Sequence, residues 1–121
     1  MHTSAVVYVG DLDRMQTFYA RCFGLTIEDS GPDYVGLRSG PWLLTLVATP
    51  SAAATAGDPS RRRSTTPIKL GFQVASIDDL REIVATLGGC VDPTETEWTF
   101  RGATHCDCLD PEGNVVQLIQ P

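Results

Sequence analysis

Two stretches decide the fold: "VVYVGDLDRMQTFYARCFGL", residues 6–25, and "LGFQVASIDDLREIVATLGG", residues 70–89. In the first, the strand pattern "SAVVYV" at 4–9 leads to Asp11, a helix N-cap, and then to Leu12, Met15, Phe18, Tyr19, Cys22 and Phe23 at helical spacing before Gly24 stops the helix. In the second, the strand "IKLGFQVA" at 68–75 leads to Ser76 as N-cap, with Asp79 in the capping-box position. Ile77, Leu80, Ile83, Val84 and Leu87 make its apolar stripe, and Gly88-Gly89 ends it. An offset of 65 carries Val9 onto Val74, Asp11 onto Ser76, Asp13 onto Asp78, Met15 onto Leu80 and Gly24 onto Gly89. The two stretches read as copies of one unit.

Each helix is followed by three strand patterns. After the first they fall at 25–29, 34–38 and 42–48, separated by Ser30-Gly31-Pro32-Asp33 and Ser39-Gly40-Pro41. After the second they fall at about 91–98, 103–109 and 114–120, the last two joined by the turn Asp110-Pro111-Glu112-Gly113. The plan is an α+β fold of two duplicated β-α-β-β-β modules in a single domain, 1–121, with module one at 1–48 and module two at 68–121. Residues 49–67, rich in small residues and proline, read as a connecting loop, expected to be mobile.

Composition narrows the function. A chain of 121 residues is large enough to bury a core without metal or disulfide staples. A net charge of −6, from 15 acidic against 9 basic residues, offers no electrostatic footprint for nucleic acid or an anionic membrane. No apolar run approaches the roughly 18 residues of a membrane span, and the N-terminus has no leader pattern, so a cytoplasmic location is expected. Cys22, Cys90, Cys106 and Cys108 show neither C-x-x-C nor zinc-finger spacing and are expected to be reduced thiols.

The two opening stretches together with "DPEGNVVQLIQP", 110–121, resemble the vicinal oxygen chelate superfamily, which includes glyoxalase, bleomycin-resistance proteins and extradiol dioxygenases. The resemblance implies that the two modules curl into a half-open barrel around a ligand cavity, usually in a homodimer. It also implies four ligand slots on the concave face, two per module. In metal-dependent members these are filled by His, Glu or Gln. Here they fall on Ser4, Thr45, Lys69 and Gln117. Two hydroxyls, an ammonium and a carboxamide are a poor set for a catalytic divalent metal, so no metal and no cofactor are expected. His2 shares the strand face of Ser4 and reaches that slot only by a two-residue slip.

Strand alternation sorts the remaining side chains. Ala5, Val7 and Val9 suit the helix side, leaving Ser4, Val6 and Tyr8 for the cavity. Leu44 and Leu46 pack under the helix, with Leu43, Thr45 and Val47 opposite them. Ile68, Leu70, Phe72 and Val74 face the helix, with Lys69, Gly71 and Gln73 opposite. Cys106, Cys108, Val116 and Leu118 are core, whereas His105, Asp107, Val115, Gln117 and Ile119 face the cavity. His105 and Asp107 read as an acid–base pair or, in the preferred reading, a hydrogen-bonded wall. Lys69 pairs with Asp107, meets an anionic ligand or snorkels to solvent. Trp98, Trp42, Phe100 and Tyr34, near strand ends, offer stacking surfaces for a flat ligand or pack in a core or interface. The Arg61-Arg62-Arg63 run reads as a solvated loop.

The candidate ligand-binding residues are therefore Tyr8, Trp42, Thr45, Lys69, Trp98, Phe100, His105, Asp107 and Gln117. The expected function is metal-independent binding of a small aromatic or amphipathic molecule, in the manner of drug sequestration by bleomycin-resistance proteins. The alternative is an enzyme on the same scaffold, a glyoxalase-like lyase, isomerase or dioxygenase, using His105 and Asp107 or a rearranged metal site. A module that binds only another protein is disfavoured by the polar positions converging on one face.

Overall fold

Aspartate and serine start the two long helices, as their short side chains allow. In the computed structural model, which describes residues 3–54, 62, 63 and 65–121, the Asp11 carboxylate accepts from Arg14 N at 3.1 Å and the Ser76 hydroxyl from Asp79 N at 3.2 Å. They open α1 (Leu12–Phe23) and α3 (Ile77–Thr86). Gly24 closes α1 at φ 67°, a left-handed conformation that a β-carbon would strain. The chain divides into two units, Met1–Asp58 and Pro59–Pro121.

The first unit holds β1 (Thr3–Val9), β2 (Thr26–Ser30), β3 (Tyr34–Ser39) and β4 (Trp42–Ala48) in the sheet order β1-β4-β3-β2. Strands β1 and β4 run parallel; the other pairs are antiparallel. Helix α1 packs on β3 and β4, burying Met15, Phe18 and Tyr19 with Val35, Leu37, Leu44 and Leu46. Along β1 the expected alternation holds: Ser4, Val6 and Tyr8 are exposed and Val9 is fully buried. A departure comes after β4, where Thr49 caps a short helix α2 (Pro50–Ala53), its hydroxyl accepting from Ala52 N at 3.1 Å. Proline at a first helical turn lacks only an N–H that would go unbonded there. The expected loop therefore starts as helix; its residues 55–61 and 64 lie outside the described residues, as does His2.

The second unit holds β5 (Gly71–Gln73), β6 (Cys90–Val91), β7 (Trp98–Phe100), β8 (Ala103–Leu109) and β9 (Val115–Gln120), in the order β5-β9-β8-β6, with β7 also pairing β8. The strand expected at 91–98 is broken. Pro93 cannot donate to a ladder, and Thr94–Thr96 forms a 3₁₀ turn, so β6 and β7 each cover part of β8. The strand expected at 68–75 shortens to β5, leaving Ile68, expected to face the helix, strongly exposed. The ladder extends past β5 by two bonds, Gln117 N to Leu70 O and Val74 N to Ile119 O, both 2.8 Å. Neither sheet closes on itself. Among the described residues, no helix is long and apolar enough to cross a membrane.

Candidate functional site

The face of the second sheet that carries His105 is assembled by register. Asp107 lies opposite Gln117, His105 opposite Ile119 and Trp98, and Gly71 opposite Gln117. Cys106 and Cys108, on the other face, are fully buried. Burial pushes the Cys106 thiol up, so it is held protonated and is a poor nucleophile.

Three local features hold this face in place. Arg81, on α3, donates to Asp92 O at 2.7 Å and Glu97 Oε2 at 2.8 Å, pinning the broken segment just ahead of Trp98. Arg101 and Gly102 take φ 53° and 75°, the positive angles of a two-residue hairpin turn, and so fold β7 onto β8. Asp110 accepts from Glu112 N, Asn114 N and Asn114 Nδ2, fixing the turn that aligns β9 with β8.

On that frame the charged groups form an alternating chain. Lys69 Nζ donates to both Asp107 carboxylate oxygens, at 2.9 and 3.1 Å. Arg62 lies 3.5 Å from Asp107 Oδ2 and makes a bidentate pair with Asp92 at 2.7 and 2.8 Å. The Asp92 partner holds the Arg62 guanidinium firmly protonated. Two cations and two anions leave this cluster without net charge. Arg62 is therefore held by ion pairs rather than loosely solvated; Arg61 lies outside the described residues. The partners of Arg62 stand 30 and 45 positions away, and no local pattern in the sequence marks them.

His105 is buried beside this chain, and both of its ring nitrogens are committed. Nε2 stands 3.1 Å from Phe100 O, a group that only accepts, so Nε2 carries a proton and donates. Nδ1 stands 2.9 Å from the Gln117 carboxamide. With Oε1 facing it, as placed, the contact satisfies an imidazolium; with the amide turned, the same contact satisfies a neutral ring. In both arrangements neither nitrogen has a lone pair free for a substrate proton or a metal. Trp98 stacks on the ring, with centroids 5.5 Å apart and planes 19° apart, and Phe100 meets it edge-on at 5.7 Å. Lys69 Nζ lies 5.9 Å from the Trp98 ring centre. Among the described residues no hydrogen bond joins His105 to Asp107: the first belongs to the Gln117 and Phe100 contacts, the second to the cations.

The structure thus gathers Lys69, Trp98, Phe100, His105, Asp107 and Gln117 in the second unit. In the first, Tyr8 and Thr45 lie on the sheet face opposite α1, and Trp42 starts β4 on the face shared by Leu44 and Leu46. The donor sets do not fit a divalent metal. The first unit offers the Ser4 and Thr45 hydroxyls, and the second an ammonium and a carboxamide already engaged by neighbours. Among the described residues no group of three or more His, Cys, Asp or Glu is placed to hold a metal ion.

Comparison with known proteins fits this architecture. Solved structures of similar fold include a glyoxalase/bleomycin resistance protein/dioxygenase family enzyme from Burkholderia phytofirmans PsJN, with TM-score 0.74 and 20% identity, over 98% of this chain and 96% of that one. The lactoylglutathione lyase of Agrobacterium tumefaciens has TM-score 0.63 and 22% identity, over 99% and 92%. The bleomycin-binding protein of bleomycin-producing Streptomyces verticillus, solved with copper(II)-bleomycin, has TM-score 0.61 and 17% identity, over 100% and 96%. At these identities the likeness concerns the fold. No curated protein matches. The family model for the glyoxalase/bleomycin resistance protein/dioxygenase superfamily matches residues 2–118, and the chain belongs to that superfamily.

Proposed function

We propose that the protein binds a small aromatic or amphipathic molecule without a metal, holding it rather than transforming it, and does so as a cytoplasmic homodimer. Drug sequestration is the use this suits, as the bleomycin-binding neighbour illustrates for its own ligand. The observation that carries the reading is the saturation of the second unit: Lys69, Asp107, Gln117 and both His105 nitrogens are already paired within the chain. A group so engaged orients a ligand but is poorly placed to take its proton. Trp98 and Phe100, exposed beside this wall, supply apolar area for a flat body, as small-molecule sites require. For the dimer, the support is edge strand β2, exposed along its whole length and paired on its outer side with no strand among the described residues.

The enzymatic alternative needs a free base or an open metal position, and the His105 contacts argue against the first. Native mass spectrometry of protein drawn from its host extract tests the reading. An organic adduct retained after chelation and released with unchanged mass is expected. A chemically altered product on release contradicts it and favours the enzyme. Sedimentation at micromolar concentration tests the assembly, with a species of twice 13.1 kDa expected and a clean monomer contradicting it.

A further inference from the structure

The first unit carries an open, apolar sheet face with one carboxylate delivered onto it. On the face opposite α1, Tyr8, Val47 and Tyr34 form one cross-strand row, and Val6, Thr45, Gly36 and Asp29 form the next. Tyr8 is 65% exposed, Val6 56% and Tyr34 37%, so the apolar surface is uncovered.

Asp29 reaches this face through two linked features. A bulge between Ile27 and Asp29 sets Glu28 and Asp29 against the single residue Gly36, which re-aims the Asp29 side chain. Gly36 then leaves the room: a β-carbon there would collide with Asp29 Oδ1 and sit 3.5 Å from Leu43 Cδ1. The carboxylate thus occupies the place of the missing side chain, on the face shared with Leu43 and Thr45. Arg38, the cation of this face, is already used, in an ion pair with Glu28 and a 3.3 Å bond to Gly40 O. Among the described residues no hydrogen bond or ion pair engages the Asp29 carboxylate, and Asp33, in the adjoining turn, adds charge of the same sign.

We infer that this face binds a planar organic cation, such as an aromatic ring system bearing a quaternary or protonated nitrogen. Tyr8 and Tyr34 present aromatic rings whose faces attract cations, Val47 and Val6 supply apolar area, and Asp29 is the counter-ion. An anionic ligand is rejected by Asp29, and a neutral one gains only the apolar part. The inference concerns the first unit by itself and is separate from the binding reading of the second.

The test uses the full chain and three probes of matched shape: N-methylquinolinium, 1-methylnaphthalene and 1-naphthoate. Titrations followed by amide chemical shifts locate the binding. N-methylquinolinium should shift resonances around Tyr8, Tyr34 and Thr45, bind about fivefold more tightly than 1-methylnaphthalene, and lose that margin in high salt. Asp29→Asn, at an exposed position, should abolish the margin while leaving 1-methylnaphthalene unaffected. Gly36→Ala should do the same by evicting the carboxylate. Equal affinity for the cation and its neutral match, a margin that survives Asp29→Asn, absence of binding by the cation, or shifts confined to the second unit would each overturn the inference. None of these results bears on the proposed function, which fails instead through a transformed ligand or a bound metal.

Discussion

The two sheets each follow a helix-bearing β-α-β plan and have opposite conditions on the faces turned away from their helices. In the first unit that face is open: Val6 and Tyr8 are exposed, and the slot residues Ser4 and Thr45 are short hydroxyls. In the second, Lys69 stands at the position duplicated from Ser4, and its ammonium is spent on Asp107, while Gln117 is spent on His105. The slot positions of the first unit are thus open, and those of the second are filled by the unit's own polar contacts. The difference matters for energetics: a slot with no internal partner is free to change, and a slot inside a network is not.

This contrast can be broken by substitution. The largest effect is expected for His105→Leu, which removes both hydrogen bonds of a buried side chain, to the Phe100 carbonyl and the Gln117 carboxamide, together with its stacking on Trp98, and should cost about 2 kcal/mol. Urea unfolding measures it; a loss no greater than that of an exposed site would remove the wall from the account. Gln117→Leu breaks one of the same contacts and should cost about 1 kcal/mol. Lys69→Met leaves Asp107 with Arg62 as its remaining cation. Because Lys69 is more than one-third exposed, about 0.5 kcal/mol is expected, shrinking as salt is raised. At the bottom of the scale, Ser4→Ala and Thr45→Val should stay within about 0.5 kcal/mol of the parent chain. If those two cost as much as Gln117→Leu, the halves are equivalent and the contrast is false.

Much of the fold was legible because it rests on local signals. Asp11, Ser76, Gly24 and the glycines after Leu87 act within one turn of where they stand, and alternation along β1 and β4 matches the observed burial, whereas on β8 and β9 it fails at His105 and Val115, expected on the open face and found buried. The missed features are those in which distant segments compete. The strand expected at 91–98 yields to Pro93 and to Arg81 reaching across from α3. Arg62 reads as solvated until folding brings Asp92 and Asp107 beside it. In the candidate site, strand faces alone offered the Lys69–Asp107 pair only as one of three readings of Lys69, beside an anionic ligand and solvent, and the structure selects it. The stacking of Trp98 on His105, and the bulge that aims Asp29 over Gly36, depend on register, which periodicity does not determine at a strand interrupted by a turn or a bulge.

The proposed site holds its ligand without a metal, and elemental analysis decides whether it does. The purified chain is equilibrated with zinc, nickel, manganese and iron(II), freed of excess ion and assayed for bound metal. The hydroxyl, ammonium and engaged carboxamide at the slot positions predict far less than one ion per chain for each metal. One tightly held ion per chain, lost on Gln117→Leu, would contradict the account and give the enzymatic reading its missing cofactor.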